Sequence, residues 1–287
     1  MQARNWRVVD LLELGRVREA AAEVDAYEAV AAEVALPHFG WYVPLWRATL
    51  AHLAGEWAAG ARRSEQALAL GEQADDPNAP LFVGIQRALS QYGQRRFADM
   101  DRSRFEARGD APEWRVNLAM IDAETGATDR ARRLVAELAR DGARALPMDA
   151  NWHAACVLAE AAVLIGDRDA AAALHALLEP HADLFPVIAR AVACLGSASY
   201  HVGSLAALLG RREEAQARLR HAIAAGEAAG AHPHVALALV RLGTVLADGG
   251  APDDARPALQ EAAARADAAG VPAIAADARR RLGALAG

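Results

Sequence analysis

Cysteine is almost absent from this 287-residue chain. Cys156 and Cys194 are too few for a disulfide framework, and they lack the paired spacing of a zinc site. A reducing, cytoplasmic setting is the expectation. Aromatic residues make up only 5% of the chain, while alanine and leucine dominate. That balance disfavours sheets built from branched and aromatic side chains and favours helices whose backbones approach closely. Basic charge is also in short supply. A net charge of −6 gives no electrostatic footprint for phosphates, so direct nucleic-acid binding is not expected. Charged residues interrupt every apolar run before it reaches membrane-spanning length, and the N-terminus lacks the apolar stretch of a signal peptide. Neither membrane insertion nor secretion is therefore expected. A glycine-rich phosphate loop followed by Lys-Ser/Thr is missing, as is a Gly-x-Ser-x-Gly elbow.

What the chain does have is 54% apolar content and a repeat. Gly15, Gly55, Gly93, Gly126, Gly166, Gly210 and Gly250 recur at separations of 40, 38, 33, 40, 44 and 40 residues. Each sits where one helical pattern ends and another begins, a position that favours a residue without Cβ. Five residues later the chain always has a small side chain: Ala20, Gly60, Ala98, Ala131, Ala171, Ala215 and Ala255. Seven residues before the glycine, Val8, Ala48, Ala119, Ala159, Gly203 and Gly243 are small or compact, and Gln86 is the exception. Small residues at both places let the two helices of a pair cross closely.

The spacing Gly203…Gly210…Ala215…Leu219…Ala222, repeated in Gly243…Gly250…Ala255…Leu259…Ala262, resembles the tetratricopeptide repeat. The expected fold is all-α: one domain over 1–287, a right-handed superhelical array of about seven helical hairpins plus a C-terminal capping helix. The pairs are expected at 4–14 with 17–35, 38–54 with 57–73, 78–92 with 95–107, and 112–125 with 128–141. They continue at 149–165 with 168–179, 185–209 with 212–229, and 233–248 with 252–269. The cap follows near 272–285, and its Arg279-Arg280-Arg281 run reads as a solvated face.

A more particular resemblance lies in Arg4 to Gly15, Pro147-Met148-Asp149-Ala150-Asn151-Trp152, Gly166 to Ala171, Leu177 to Pro180 and Arg190 to Ser197. These stretches are similar to the C-terminal repeat region of large bacterial signal-transduction ATPases, the kind linked to LuxR-type regulators or nucleotide-cyclase modules. The resemblance implies the sensing part alone, taking a peptide, a partner protein or a small inducer, with the nucleotide- and DNA-binding modules missing.

In such arrays the first helices line a concave groove. Counting from the small pre-turn residue, offsets of −6, −3, +1 and +4 share one face. That stripe holds Tyr42, Leu45, Thr49 and His52, then Arg87 and Ser90, then Glu113. It continues with His153, Cys156 and Glu160, then Ser197, Tyr200 and Ser204, then Thr244, while Trp46 and Trp152 adjoin it. The groove reads as polar and aromatic, suited to a ligand with an apolar body. Taken singly, each residue has an ordinary packing role as its alternative, and Trp41, Trp57 and Trp114 read as wedges between helices.

No cofactor or metal is expected, because His232-Pro233-His234 supplies two imidazoles without further ligands. Two functions lead, and a purely structural adaptor with its partner-binding surface on the outer helices is a third. The first is a binding or regulatory scaffold with no catalytic residues. The second is an enzyme chamber in which His153 and Glu160 exchange protons with help from Tyr200, suited to isomerisation or cyclisation of an apolar substrate. An exposed repeat end also allows a homo-oligomer.

Overall fold

The computed structural model describes residues 1–34, 37–144, 146 and 152–285. Those residues are overwhelmingly helical, as the alanine- and leucine-rich composition requires. The first pair is α1 (Gln2–Glu13) with α2 (Val17–Val34). A four-residue turn of helix, α3 (Pro37–Gly40), leads into α4 (Tyr42–Ala54) and α5 (Trp57–Gln73). After α6 (Ala79–Gly93) comes a 3-10 turn at Phe97–Asp99 and the short α7 (Arg102–Glu106). Then follow α8 (Pro112–Glu124), α9 (Thr128–Leu138), α10 (Arg140–Ala143), α11 (His153–Ile165) and α12 (Arg168–Leu178). The last part holds α13 (Ala198–Leu208), α14 (Arg212–Ala229), α15 (His232–Asp248), α16 (Pro252–Ala268) and α17 (Pro272–Ala284).

Local chemistry sets these boundaries. Six of the seven aligned glycines take the left-handed backbone that ends a helix, with φ between 68° and 84°. Proline opens α6, α8, α15, α16 and α17 within the first turn, where its missing N–H costs nothing. Asp167 caps α12 by accepting from the Ala170 N–H at 3.0 Å. Helices adjacent in sequence pack on each other within each pair and from one pair to the next, except that α6 packs on α5 and α4 and hardly on α7 or α8. The small residues sit where helices cross: Ala20, Ala131, Ala171, Ala215 and Ala255 are fully buried, and a Cβ on Gly243 would come within 2.6 Å of Leu259.

Two expected helices fail over much of their length, while those expected over 38–54 and 128–141 are only interrupted, at Trp41 and Ala139. The partner expected for α6 over 95–107 is reduced to the 3-10 turn and five-residue α7, and Ala98 is exposed. The turn there also differs: Gly93 stays helical, and Arg95 takes the left-handed backbone at φ 59°. The helix expected over 185–209 begins only at Ala198. Before it, Val187–Ile188 (β1) and Ala193–Cys194 (β2) pair antiparallel, Val187 opposite Cys194 and Ile188 opposite Ala193. The helix expected from 149 starts at His153, and Pro147 to Asn151 lie outside the described residues.

Tertiary partners override helical propensity in the 185–197 segment. The Phe185 N–H donates to the Glu13 carbonyl at 2.8 Å, and its ring lies against Gly15, where a Cβ would come within 2.8 Å of it. Phe185, Val187, Ala191, Val192 and Cys194 join the apolar core of α1, α2, α4 and α6. The segment thus bridges the sixth pair to the first three. A second long-range junction joins the start of the chain to its end: α4 packs on α15, and Trp57 Nε1 donates to the Ala269 carbonyl at 2.8 Å.

Candidate functional site

Over α4 and α6 the residues of the expected stripe are covered by the chain itself. Trp46 Nε1 donates to the Arg190 carbonyl at 2.8 Å. Thr49 Oγ1 lies 2.8 Å from the carbonyls of both Ala191 and Val192. Gln86 Nε2 donates to the Val192 carbonyl at 2.9 Å and to the Leu45 carbonyl at 2.8 Å, while its Oε1 accepts from Ser64 Oγ at 2.7 Å. Three consecutive carbonyls of a non-helical segment thereby find partners, as buried backbone requires. Arg190 Nη1 donates to Tyr42 Oη at 3.3 Å, and burial raises the Tyr42 hydroxyl pKa against the opposing pull of that guanidinium.

Further along the interior, Glu160 of α11 is the focus of a buried ionic cluster. Arg95 Nη1 reaches its Oε1 at 2.5 Å, the Tyr92 hydroxyl donates to its Oε2, and Arg95 also pairs with Glu124 of α8. Burial alone would raise the Glu160 pKa. Arg95 foremost, then His201 and the Tyr92 hydroxyl, outweigh it, and the carboxyl ends below its ordinary value. Glu124 is raised, by burial first and by the Glu160 charge, against Arg95. Burial and the Glu160 charge push the hydroxyls of Tyr92 and Tyr200 up.

Around this cluster lie imidazoles that burial holds neutral. His52, His153, His201 and His234 each have a pKa lowered to about 4. Each has one ring nitrogen buried without a hydrogen-bond partner among the described residues, as do the hydroxyls of Ser197 and Ser204. Burial also raises both thiols, Cys194 to about 12, so neither is a ready nucleophile. The enclosed space beside Thr49, His52, Trp57, Tyr92, Cys194 and His234 amounts to about 30 Å³, the volume of a single water.

His153, Glu160 and Tyr200 do not form a connected acid–base set. Neither His153 nor Tyr200 hydrogen-bonds Glu160, whose oxygens are taken by Arg95 and Tyr92. A carboxyl held ionised in this way cannot donate a proton near neutrality. Trp152 is a wedge: its Nε1 donates to Glu13 at 3.1 Å and its ring stacks on His181. His52 stacks on Trp57. Glu113 is half-exposed in the first turn of α8. Sequence reasoning passed over Gln86, Tyr92, Arg95 and His201. Gln86 did leave a signal, as the one polar break in the column of small residues. Arg95 lies in a turn, outside any helical stripe.

Arg87 stands apart from the interior, exposed and paired with Glu65 at 2.7 Å. It borders a cleft of about 680 Å³ between α6 and the α7–α8 segment. One wall is Leu81, Gly84, Ile85 and Ala88 of α6. Phe105 and Trp114 face them, and Asp99, Asp101, Arg104 and Arg108 complete the rim. The cleft exists because α7 is too short to cover α6 as α5, α14 and α16 cover their partners. Its far wall is fixed, since Arg102 Nη1 ties α7 to the fully buried Asp122 of α8 at 2.5 Å. Among the described residues no helix is long and apolar enough to cross a membrane. The chain matches no family model and no curated protein.

Proposed function

We propose that this chain is a ligand-binding regulatory scaffold: a tetratricopeptide-like, right-handed superhelical array capped by α17, with no catalysis of its own. The observation that carries this reading is the cleft between α6 and α8. Its volume of about 680 Å³ falls in the range that encloses a metabolite-sized ligand, and its walls are apolar with polar groups at the rim. The interior groove is a poorer candidate, because the Phe185 to Cys194 segment fills its first half and an internally satisfied ion cluster its second. A ligand in the cleft would take the place of the missing helix of the third pair and stiffen the junction between α6 and α8. Occupancy would then be reported along the array, in keeping with the resemblance to sensing regions of signal-transduction ATPases.

The enzyme reading loses its main support with Glu160. Its carboxylate is committed to Arg95 and Tyr92, which leaves the proposed proton relay without a donor.

Gly84 supplies the test. It lines the cleft from within α6, and a Cβ built there meets nothing within 4 Å. Gly84→Leu should obstruct the cleft while leaving the fold intact. Native mass spectrometry of protein purified from cytoplasm is expected to show a small molecule bound to the intact chain and absent from Gly84→Leu. The same small molecule on both proteins, or none on either, would contradict a sensing cleft.

A further inference from the structure

Resting on that reading of the cleft, we infer that its ligand is a planar aromatic carboxylate, with Arg108 as the anion contact. The charges on the rim decide this. Arg87 pairs with Glu65 at 2.7 Å, Arg104 with Asp101 at 3.2 Å, and Asp99 with Arg96 at 2.7 Å. Among the described residues no carboxylate pairs with Arg108. Its guanidinium lies over the Trp114 ring at 4.9 Å from the centroid. A guanidinium resting on a ring in this way still has N–H donors to offer a carboxylate. The cleft thus presents one positive group without a carboxylate partner among the described residues.

The shape supplies the other half of the ligand. Leu81 and Ile85 form an aliphatic wall on α6, and Phe105 with Trp114 forms an aromatic wall opposite. A flat apolar body fits along Leu81, Ile85 and Phe105, with its carboxylate at the Arg108 end beside Trp114. A ligand of that class gains from apolar burial and from one charge-assisted contact, and an uncharged analogue keeps only the first.

The test is calorimetric titration of the full chain with 2-naphthoate and with 2-naphthamide, a neutral analogue of the same shape. The expected result is that naphthoate binds at least tenfold more tightly than the amide, the range of one charge-assisted hydrogen bond. Arg108→Met, which keeps an apolar cover on Trp114 without the charge, should erase that preference, and Gly84→Leu should abolish both. Equal affinity for the two compounds, or a preference that survives Arg108→Met, overturns the inference while leaving a ligand cleft in place. Absence of binding by either compound also overturns it, and the mass-spectrometric capture judges the sensing cleft separately.

Discussion

Gln86 shows how one residue can report a tertiary event. At the crossing point where other first helices carry a small side chain, this one carries an amide that is fully buried. The amide is used on both sides: it accepts from Ser64 and donates to Leu45, Thr49 and Val192. Gln86→Ala leaves a cavity and takes one acceptor from the Ser64 hydroxyl and one of the two donors from the Val192 carbonyl. A loss of about 3 kcal/mol in urea unfolding is expected. Arg95→Met should cost as much or more, about 3–5 kcal/mol, because it leaves Glu124 and Glu160 facing each other without their shared cation. Gly84→Ala should act in the opposite direction. It replaces glycine inside a helix where the added Cβ touches nothing, and a gain of about 0.5–1 kcal/mol in the same assay is expected.

At the scale of elements, glycine spacing and small-residue columns made the succession of helix pairs readable, and α1, α2, α5, α14, α15 and α16 lie within a few residues of their expected spans. The two failures have different causes. Residues 185–197 carry a helical pattern of apolar residues, yet Phe185 docks at Gly15, and Trp46, Thr49 and Gln86 offer donors to its carbonyls. Those partners lie more than a hundred residues away in sequence, so no local pattern could announce them. The break after Gly93 was closer to legible, since Asp101 caps a new helix through the Ser103 N–H and Gly109 follows. The stripe rule picked residues of α4, α11 and α13 that are mostly buried, and it had no means of telling a packed face from a groove. At the other end, α17 buries Ile274, Ala275 and Ala278 against α16. Deletion of residues 272–287 is expected to expose Ala266 and Val271 and to lower the thermal midpoint markedly in a scanning measurement.

For the whole molecule, closure has an acid–base consequence. Four imidazoles, His52, His153, His201 and His234, are buried and held near pKa 4, against 6.5 when unfolded. Between those values the unfolded chain binds more protons than the folded one, so stability is full above about pH 6.5 and falls as pH drops toward 4. Urea unfolding midpoints measured from pH 7 to 4.5 are expected to decline steeply, and His201→Gln should flatten the curve by about one proton.

The same closure decides where a partner can bind. On the proposed reading, with the stripe over α4 and α6 covered by the chain itself, the gap beside α6 is where a ligand would sit. Hydrogen–deuterium exchange along 185–197 tests that arrangement most directly. The Phe185, Val192 and Leu195 amides donate to the carbonyls of Glu13, Ile188 and Pro186 within the packed core. They are expected to exchange as slowly as the amides of α11. Exchange at the rate of an open surface loop would mean that the groove is free, and would contradict the account.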